Sequence, residues 1–294
     1  TIKEEGEIVV SAKLFLDIVR RLPEEIVFIE TDERMVTYIA CGKVNYQIVG
    51  MSSVEYPDLP SFEQTDRITL NAKILRDMIR QTVYAVSENT AKPIYTGSLY
   101  RMAIRSENVD SESKNRFVVP GKTQHEVLKL LTDDEENTEI IIGQRHITFK
   151  IKNYRIISRL IEGTFIEYKS AIPKETKTEV VINTRTIIDA VERMSLLNND
   201  RIQSPVRCIF SDDEIKLSCT SAVGRANDVI SVPIIGESVE IGFNNRYLLD
   251  ALKNADTDEI KLILNGSLTA MIVKPVKGDS YLSIVVPMRL ANEN

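Results

Sequence analysis

One slot recurs five times along the chain, and it limits what the chain can fold into more than any other feature. In each copy a β-rich run ends at a small or polar residue and passes into an amphipathic stretch. The stretches are Ser11 to Leu22, Asn71 to Thr82, Pro120 to Leu131, Asn183 to Met194 and Asn244 to Ala255. Each has a basic residue at its third position: Lys13, Lys73, Lys122, Arg185 and Arg246. Four residues on stands an acid in every copy: Asp17, Asp77, Glu126, Asp189 and Asp250. Seven residues on the chain is basic again at Arg20, Arg80, Lys129 and Lys253, while the fourth copy has Glu192 followed by Arg193. Lys and Arg fill 37 of 294 positions, so five basic anchors would arise by chance roughly once in thirty thousand trials. At about 100° per residue the charged positions share one helix face. The apolar ones (Ile18, Ile79, Val127, Val191 and Leu252 among them) take the other. A single such charged face is an ordinary solvated one, its pairs worth about 0.2–0.5 kcal/mol each. Five in register point to a shared basic surface.

The copies alternate in type. After the helices at Lys13, Lys122 and Arg246 come a short acidic loop and two strands, for example 25–29 with 36–39. In the last copy Asn265-Gly266 divides the runs 259–264 and 268–273, a hairpin signal. The helices at Lys73 and Arg185 are expected to run on through Val86 and Leu197. Anchor spacings are 60, 49, 63 and 61 residues. The short second interval, with a strand at 94–100 running straight into Arg101, suggests that residues are missing at Tyr100/Arg101, and the order of types suggests a missing leading unit. Pairing the copies predicts an α+β chain of repeated β-α-β-β-β units in three domains, 1–64, 65–175 and 176–294, divided at polar stretches after Pro60 and Pro173.

Catalysis finds no footing. His125 and His146 have no nucleophile motif beside them, and no glycine-rich phosphate loop occurs. Asp133-Asp134-Glu135-Glu136 lacks the spacing of a calcium loop. Cys41, Cys208 and Cys219 lack metal spacing and read as buried thiols in a reducing, cytoplasmic setting. No cofactor or metal is expected, and neither a signal peptide nor a membrane-spanning run. A net charge of −6 argues against a nucleic-acid grip spread over the whole surface, and leaves room for a local basic one.

Longer stretches carry a resemblance. Tyr281-Leu282-Ser283-Ile284-Val285-Val286-Pro287-Met288-Arg289-Leu290 resembles the end of the bacterial sliding clamp family, the DNA polymerase III beta subunits. So do Gly242-Phe243-Asn244, Tyr247 to Leu252, Ile79 to Ser87, Phe117 to Lys122, Ser158 to Gly163 and Glu55 to Pro60, all in family order. The resemblance implies a head-to-tail homodimeric ring around duplex DNA, helices inside and sheets outside. Such a ring is a non-catalytic processivity factor that tethers polymerase, clamp-loader subunits and other proteins at the nucleoid.

By the same resemblance, a partner-peptide cleft falls on Tyr95, Arg101, Met102, Ala171, Asn244, Tyr247, Leu268, Val286, Pro287, Met288, Arg289 and Leu290. Ile166, where some members have Pro, and Ala291 to Asn294 depart from the pattern. DNA-facing positions are Lys73, Arg80, Asn89, Lys92, Lys129, Arg193 and Lys253. A dimer interface sets Tyr46 and Ile48 against Leu196 and Leu197, with core packing as the alternative for these four. Two other readings stay open: a surface β-rich binding module, and a clamp paralogue or truncated scaffold that closes no ring.

Overall fold

The structure, a computed structural model, describes residues 1–23, 26–57, 66–86, 100–109, 116–133, 136–163, 165, 167–197 and 204–290. It divides into two compact units, Thr1–Ser61 and Phe62–Asn294.

In the first unit, helix α1 (Ala12–Val19) begins where the Ser11 hydroxyl accepts the Leu14 N–H. Strands β1 (Val27–Thr31), β2 (Val36–Cys41) and β3 (Val44–Val49) form an antiparallel sheet in that order. Asp32 closes the β1–β2 turn by accepting the N–H groups of Val36 and Arg34, each at 2.9 Å, and the Tyr38 hydroxyl. The Val36 bond is the main reason that its carboxyl titrates below the usual range. Ile18, Ile39 and Ile48 form the buried cluster, with Val10, Phe15 and Leu22 against it.

The second unit repeats one theme. Strand β4 (Asp66–Asn71) leads into helix α2 (Ala72–Val83), and strand β5 (Arg101–Arg105) follows. Helix α3 (Gly121–Leu130) is followed by the meander β6 (Asn137–Ile142), β7 (His146–Ile151) and β8 (Tyr154–Arg159). Then come β9 (Thr178–Asn183), α4 (Thr184–Ser195), β10 (Val206–Ser211), β11 (Glu214–Ser221) and β12 (Gly224–Ser231). After a short β13 (Ile234–Gly236) the pattern returns as β14 (Val239–Phe243), α5 (Asn245–Lys253), β15 (Glu259–Leu264), β16 (Met271–Pro275) and β17 (Tyr281–Val285).

Leading strands are exchanged between units. β14 joins the sheet β12-β11-β10-β14, and β9 joins β13-β9-β15-β16-β17-β5. Helix α4 therefore leaves the β9 sheet and packs over β10–β12, and α5 leaves the β14 sheet and packs towards β17, so these two repeats share one core, while α2 and α3 cover the sheet β4-β6-β7-β8 in a second. All strand pairs are antiparallel, the mixed α+β architecture that the repeat implies. In the sheet β4-β6-β7-β8 the same exchange places β4 on β6.

The recurrent polar residue before each helix is its N-cap. The side chains of Asn71, Asn183 and Asn244 accept the N–H groups of Ile74, Thr186 and Tyr247, three residues on. Pro120 caps α3 with no side-chain bond. The apolar slots Ile18, Ile79, Val127, Val191 and Leu252 are buried in all five helices, whereas Val19 of α1 is exposed.

Two details differ from expectation. Helices α2 and α4 stop at Val83 and Ser195, and the chain continues through Val86 and Leu197 in tighter turns, with bonds such as Val86 N–H to Val83 and Leu197 N–H to Met194. The Asn265-Gly266 hairpin is not a two-residue turn. β15 and β16 pair only as far as Ile263 with Ile272, and residues 265–270 form a longer loop with Gly266 at φ 101°.

Cys208 and Cys219 lie opposite Leu217 and Ala226 rather than each other, as buried free thiols. Burial pushes the Cys208 thiol up to about 12. No helix among the described residues is long and apolar enough to cross a membrane, and no cluster of His, Cys, Asp or Glu there could hold a metal ion.

Candidate functional site

A seam runs where β5 pairs with β17. Arg101 lies opposite Val285 and Met102 opposite Ile284, and the Val286 N–H continues the pairing to the Tyr100 carbonyl at 2.8 Å. Past β17 the chain turns against β14, with Met288 N–H bonded to the Gly242 carbonyl at 2.8 Å. Leu290 then packs over Gly242 so closely that a Cβ there would meet its Cδ2 at 2.6 Å. Glycine at 242 is thus the space that seats the terminal segment. Val286, Pro287, Met288 and Leu290 are half-buried and Arg289 is exposed.

The seam's floor is aromatic and charged. Tyr247, placed by the Asn244 cap, stacks on Tyr100 at 6.0 Å. The Arg101 guanidinium lies 4.6 Å from the Tyr247 ring and 5.7 Å from the Tyr84 ring, and pairs with Asp250. Its side chain is only 9% exposed, so a full charge sits in the wall with one carboxylate and two ring faces to balance it.

Behind it the Tyr84 hydroxyl bonds Ser283 Oγ at 2.7 Å and the Tyr281 hydroxyl at 3.1 Å. Burial raises the pKa of both tyrosines, which keeps these hydroxyls neutral. Tyr84, Asp250, Tyr281 and Ser283 were not among the expected site residues. A signal for two of them exists, because Tyr281 and Ser283 put polar groups on the buried face of an apolar strand and so require a partner.

Arg101, Met102, Asn244, Tyr247, Val286, Pro287, Met288 and Leu290 therefore lie along or beside one seam. Ala171 ends a short 3-10 turn, Tyr168–Ala171, and is exposed. Leu268 is 82% exposed on the 265–270 loop. Tyr95, Ile166 and Ala291 to Asn294 lie outside the described residues, as do Asn89, Lys92 and most of the expected strand 94–100.

On the charged helix faces, Lys73, Lys129, Arg193 and Lys253 are exposed and Arg80 is half-buried. Arg80 pairs with Asp256 at 2.5 Å and Asp77 at 3.5 Å. Burial works against that cation, but the two carboxylates outweigh it and raise its pKa. Lys129 pairs with Glu126 at 2.8 Å, Arg193 with Asp228 at 2.5 Å and Lys253 with Glu192 at 2.6 Å. The bonds from Lys129 and Lys253 hold the Glu126 and Glu192 carboxyls below their usual range. The acid four residues after each anchor is ion-paired in all five helices: Asp17 with Arg21, Asp77 with Arg80, Glu126 with Lys129, Asp189 with Arg185, and Asp250 with Arg101.

Of the four expected interface residues, Ile48 is corrected. It is 6% exposed beside Ile18 and Ile39, so it is a core residue of the first unit. It shares a strand face with Tyr46, but the sheet edge leaves only Tyr46 open. Leu196 is 81% exposed after α4, and Leu197 packs against the core of the second unit.

Sequence models of the DNA polymerase III beta subunit match the chain in three parts. The N-terminal domain matches residues 1–60, the central domain 69–167 and the C-terminal domain 169–289. The beta sliding clamp of Bacillus subtilis (strain 168) is 31% identical over 309 residues, covering 98% of this chain and 82% of that protein. That of Staphylococcus aureus (strain Mu50 / ATCC 700699) is 30% identical, covering 98% and 81%. The 309 matched positions exceed the 294 residues of this chain, so the Bacillus protein has residues without a counterpart here. The crystal structure of the DNA polymerase sliding clamp from Bacillus subtilis superposes with a TM-score of 0.93 at 31% identity, over 99% of this chain and 82% of that one. A putative DNA polymerase III beta subunit from Eubacterium rectale gives 0.91 at 30% identity, over 98% and 83%. The chain belongs to the DNA polymerase III beta subunit family, the bacterial sliding clamps.

Proposed function

We propose that this chain is a sliding clamp, a non-catalytic processivity factor that encircles duplex DNA and tethers the replicative polymerase and other DNA-handling proteins. The observation that carries the reading is the seam between β5 and β17, half-apolar and framed by Tyr247 and Arg101, in a chain that matches the family through all three of its domain models. A short extended peptide with apolar anchors suits such a seam. The strands of the seam are already paired in the free chain, so little ordering entropy opposes docking. Met288 at its rim repacks at low cost around different side chains.

The finer assignments follow from this reading. Domains run over 1–64, 65–175 and 176–294. Two copies join head to tail through the Tyr46 edge and Leu196 to close the ring. Lys73, Arg80, Lys129, Arg193 and Lys253 face DNA, with Asn89 and Lys92 beside them. Clamp-loader subunits share the cleft with polymerase, and the protein works in the cytoplasm at the nucleoid.

The test is binding of a fluorescent Gln-Leu-x-Leu-Phe peptide to the full chain. A dissociation constant on the order of micromolar is expected, weakened by Met288→Ala and by Tyr247→Ala. Binding indifferent to both changes would remove the seam as the partner site.

A further inference from the structure

We propose that the cations of the DNA-facing helices are held by fixed carboxylates of the same chain, Asp228, Glu192 and Asp256 above all, so that phosphates are gripped by exchange of partners rather than by free charge. This rests on the reading of that face as the surface turned towards DNA.

Four observations converge. Arg193, Lys253 and Arg80 each pair with an acid from a different element: Asp228 on β12, Glu192 on α4 and Asp256 after α5. Arg193 is engaged through two nitrogens, Nε at 2.8 Å and Nη2 at 2.5 Å from the same Asp228 oxygen. Asp256 has φ 56°, so an uncommon backbone conformation presents this carboxylate to Arg80. Lastly, the sequence repeats an acid four residues after each basic anchor, and each of those acids is engaged in an ion pair. Among the described residues, Lys73 and Lys122 of the second unit's helices have no carboxylate paired with them.

Exposed pairs of this kind are worth about 0–1 kcal/mol each, so a phosphate can replace the carboxylate at little cost. The gain is correspondingly small. A cation that leaves its carboxylate for a phosphate releases the ion condensed on that phosphate, but the carboxylate left behind takes up a counter-ion of its own, so an exchanged pair adds less net salt release to duplex binding than an unpaired cation does. The acids therefore keep the grip weak without removing the lysines and arginines.

The experiment measures binding of the full chain to a short fluorescent duplex by anisotropy across a salt series. The triple variant Asp228→Asn, Glu192→Gln, Asp256→Asn is compared with a control of equal charge change, Glu214→Gln, Asp279→Asn, Glu162→Gln, whose acids pair with Lys216, Lys274 and Arg159. Each freed cation should steepen the slope of log K against log salt by about 0.9, so its affinity falls about threefold more for a fourfold rise in salt. The control should stay at the original slope. Among the single variants, each retaining the fold by thermal unfolding, Asp228→Asn and Glu192→Gln should each steepen the slope by about 0.9, and Asp256→Asn by less, because Asp77 still holds Arg80 at 3.5 Å.

A slope unchanged in the triple variant, or equally steepened in the control, overturns the proposal. Lys73→Ala with Lys122→Ala separates the two levels. If that pair weakens binding while the triple variant does nothing, the face meets DNA but its acids do not govern the grip. If no variant alters binding, the DNA-facing reading falls and the proposal with it.

Discussion

Replacing Asp250 by Asn removes one charge from the seam while keeping the shape of the side chain. Arg101 would be left with its guanidinium 9% exposed and without a carboxylate. Breaking a buried pair on one side costs about 3–5 kcal/mol. Two features lower that figure: Asp250 itself is 30% exposed, and Arg101 keeps the Tyr247 and Tyr84 rings, which are worth about 0.5–2 kcal/mol to a cation. The expected loss is about 2–3 kcal/mol, felt locally where β5 meets β17. A chain of several domains has no single unfolding free energy, so the assay is native-state hydrogen exchange of the amides in the two strands. Their exchange should quicken by about 30- to 150-fold. Arg101→Met removes the stranded charge, so the double variant should exchange no faster than Asp250→Asn alone. An acceleration below about threefold, or full additivity of the two changes, would refute the view that this pair secures the seam.

The buried Cys208 thiol has its folded value raised from the ordinary 9.0 to about 12, so its contribution is complete below pH 9 and drains away as pH rises towards 12. Within that window this group alone costs up to about 1.4 kcal/mol per pH unit. Cys208→Ala should flatten the decline, between about pH 9 and 10, in the urea midpoint of the transition that unfolds the β10–β12 sheet, before Tyr84 and Tyr281 add losses of the same sign; an identical decline in the variant counts against it. Gly242→Val should force Leu290 and the Met288 carbonyl outward, costing about 1–3 kcal/mol of stability and weakening peptide binding more than Val229→Ala, an exposed change elsewhere. Leu196→Asp combined with Tyr46→Asp should yield monomers by light scattering with the helix content intact, whereas a persistent dimer would mean that the copies join elsewhere.

Helix positions were legible because two independent signals coincide at each start: an N-cap residue and a charge and apolar code that repeats at helical period. The strand exchange between units was not, since nothing in Asn183 or Phe243 says that the preceding strand belongs to the neighbouring sheet. Side-chain parity on β3 was readable, but the depth of the core was not. Tyr46 and Ile48 share a face, and Ile48 is covered by Ile18 and Ile39 while Tyr46 stays open. Leu268 shows the limit of a dipeptide signal. Asn-Gly marked the turn, yet pairing stops at Ile263 and Ile272 and leaves that leucine in a loop. In the cleft, the resemblance supplied Arg101 and Tyr247. Asp250, visible from the start as a repeated acid, gave no hint that it is diverted from its own helix to β5.

The paired charges on the helices have a consequence for motion. A plus and a minus within about 3 Å make a dipole whose field dies away well inside the Debye length of about 8 Å. A polyanion passing such a wall meets a corrugation of small wells, each filled alternately by a phosphate or by the resident carboxylate. Every step forward breaks one such contact and remakes another, so the friction of travel is set by differences between two weak bonds, on the order of thermal energy. Lining the track with bare lysines would deepen each well and slow the drift between them. On the reading that this face is turned towards DNA, the carboxylates beside Arg80, Lys129, Arg193 and Lys253 act as a lubricant, and two of them, Asp77 and Glu126, are the repeated acid of the code.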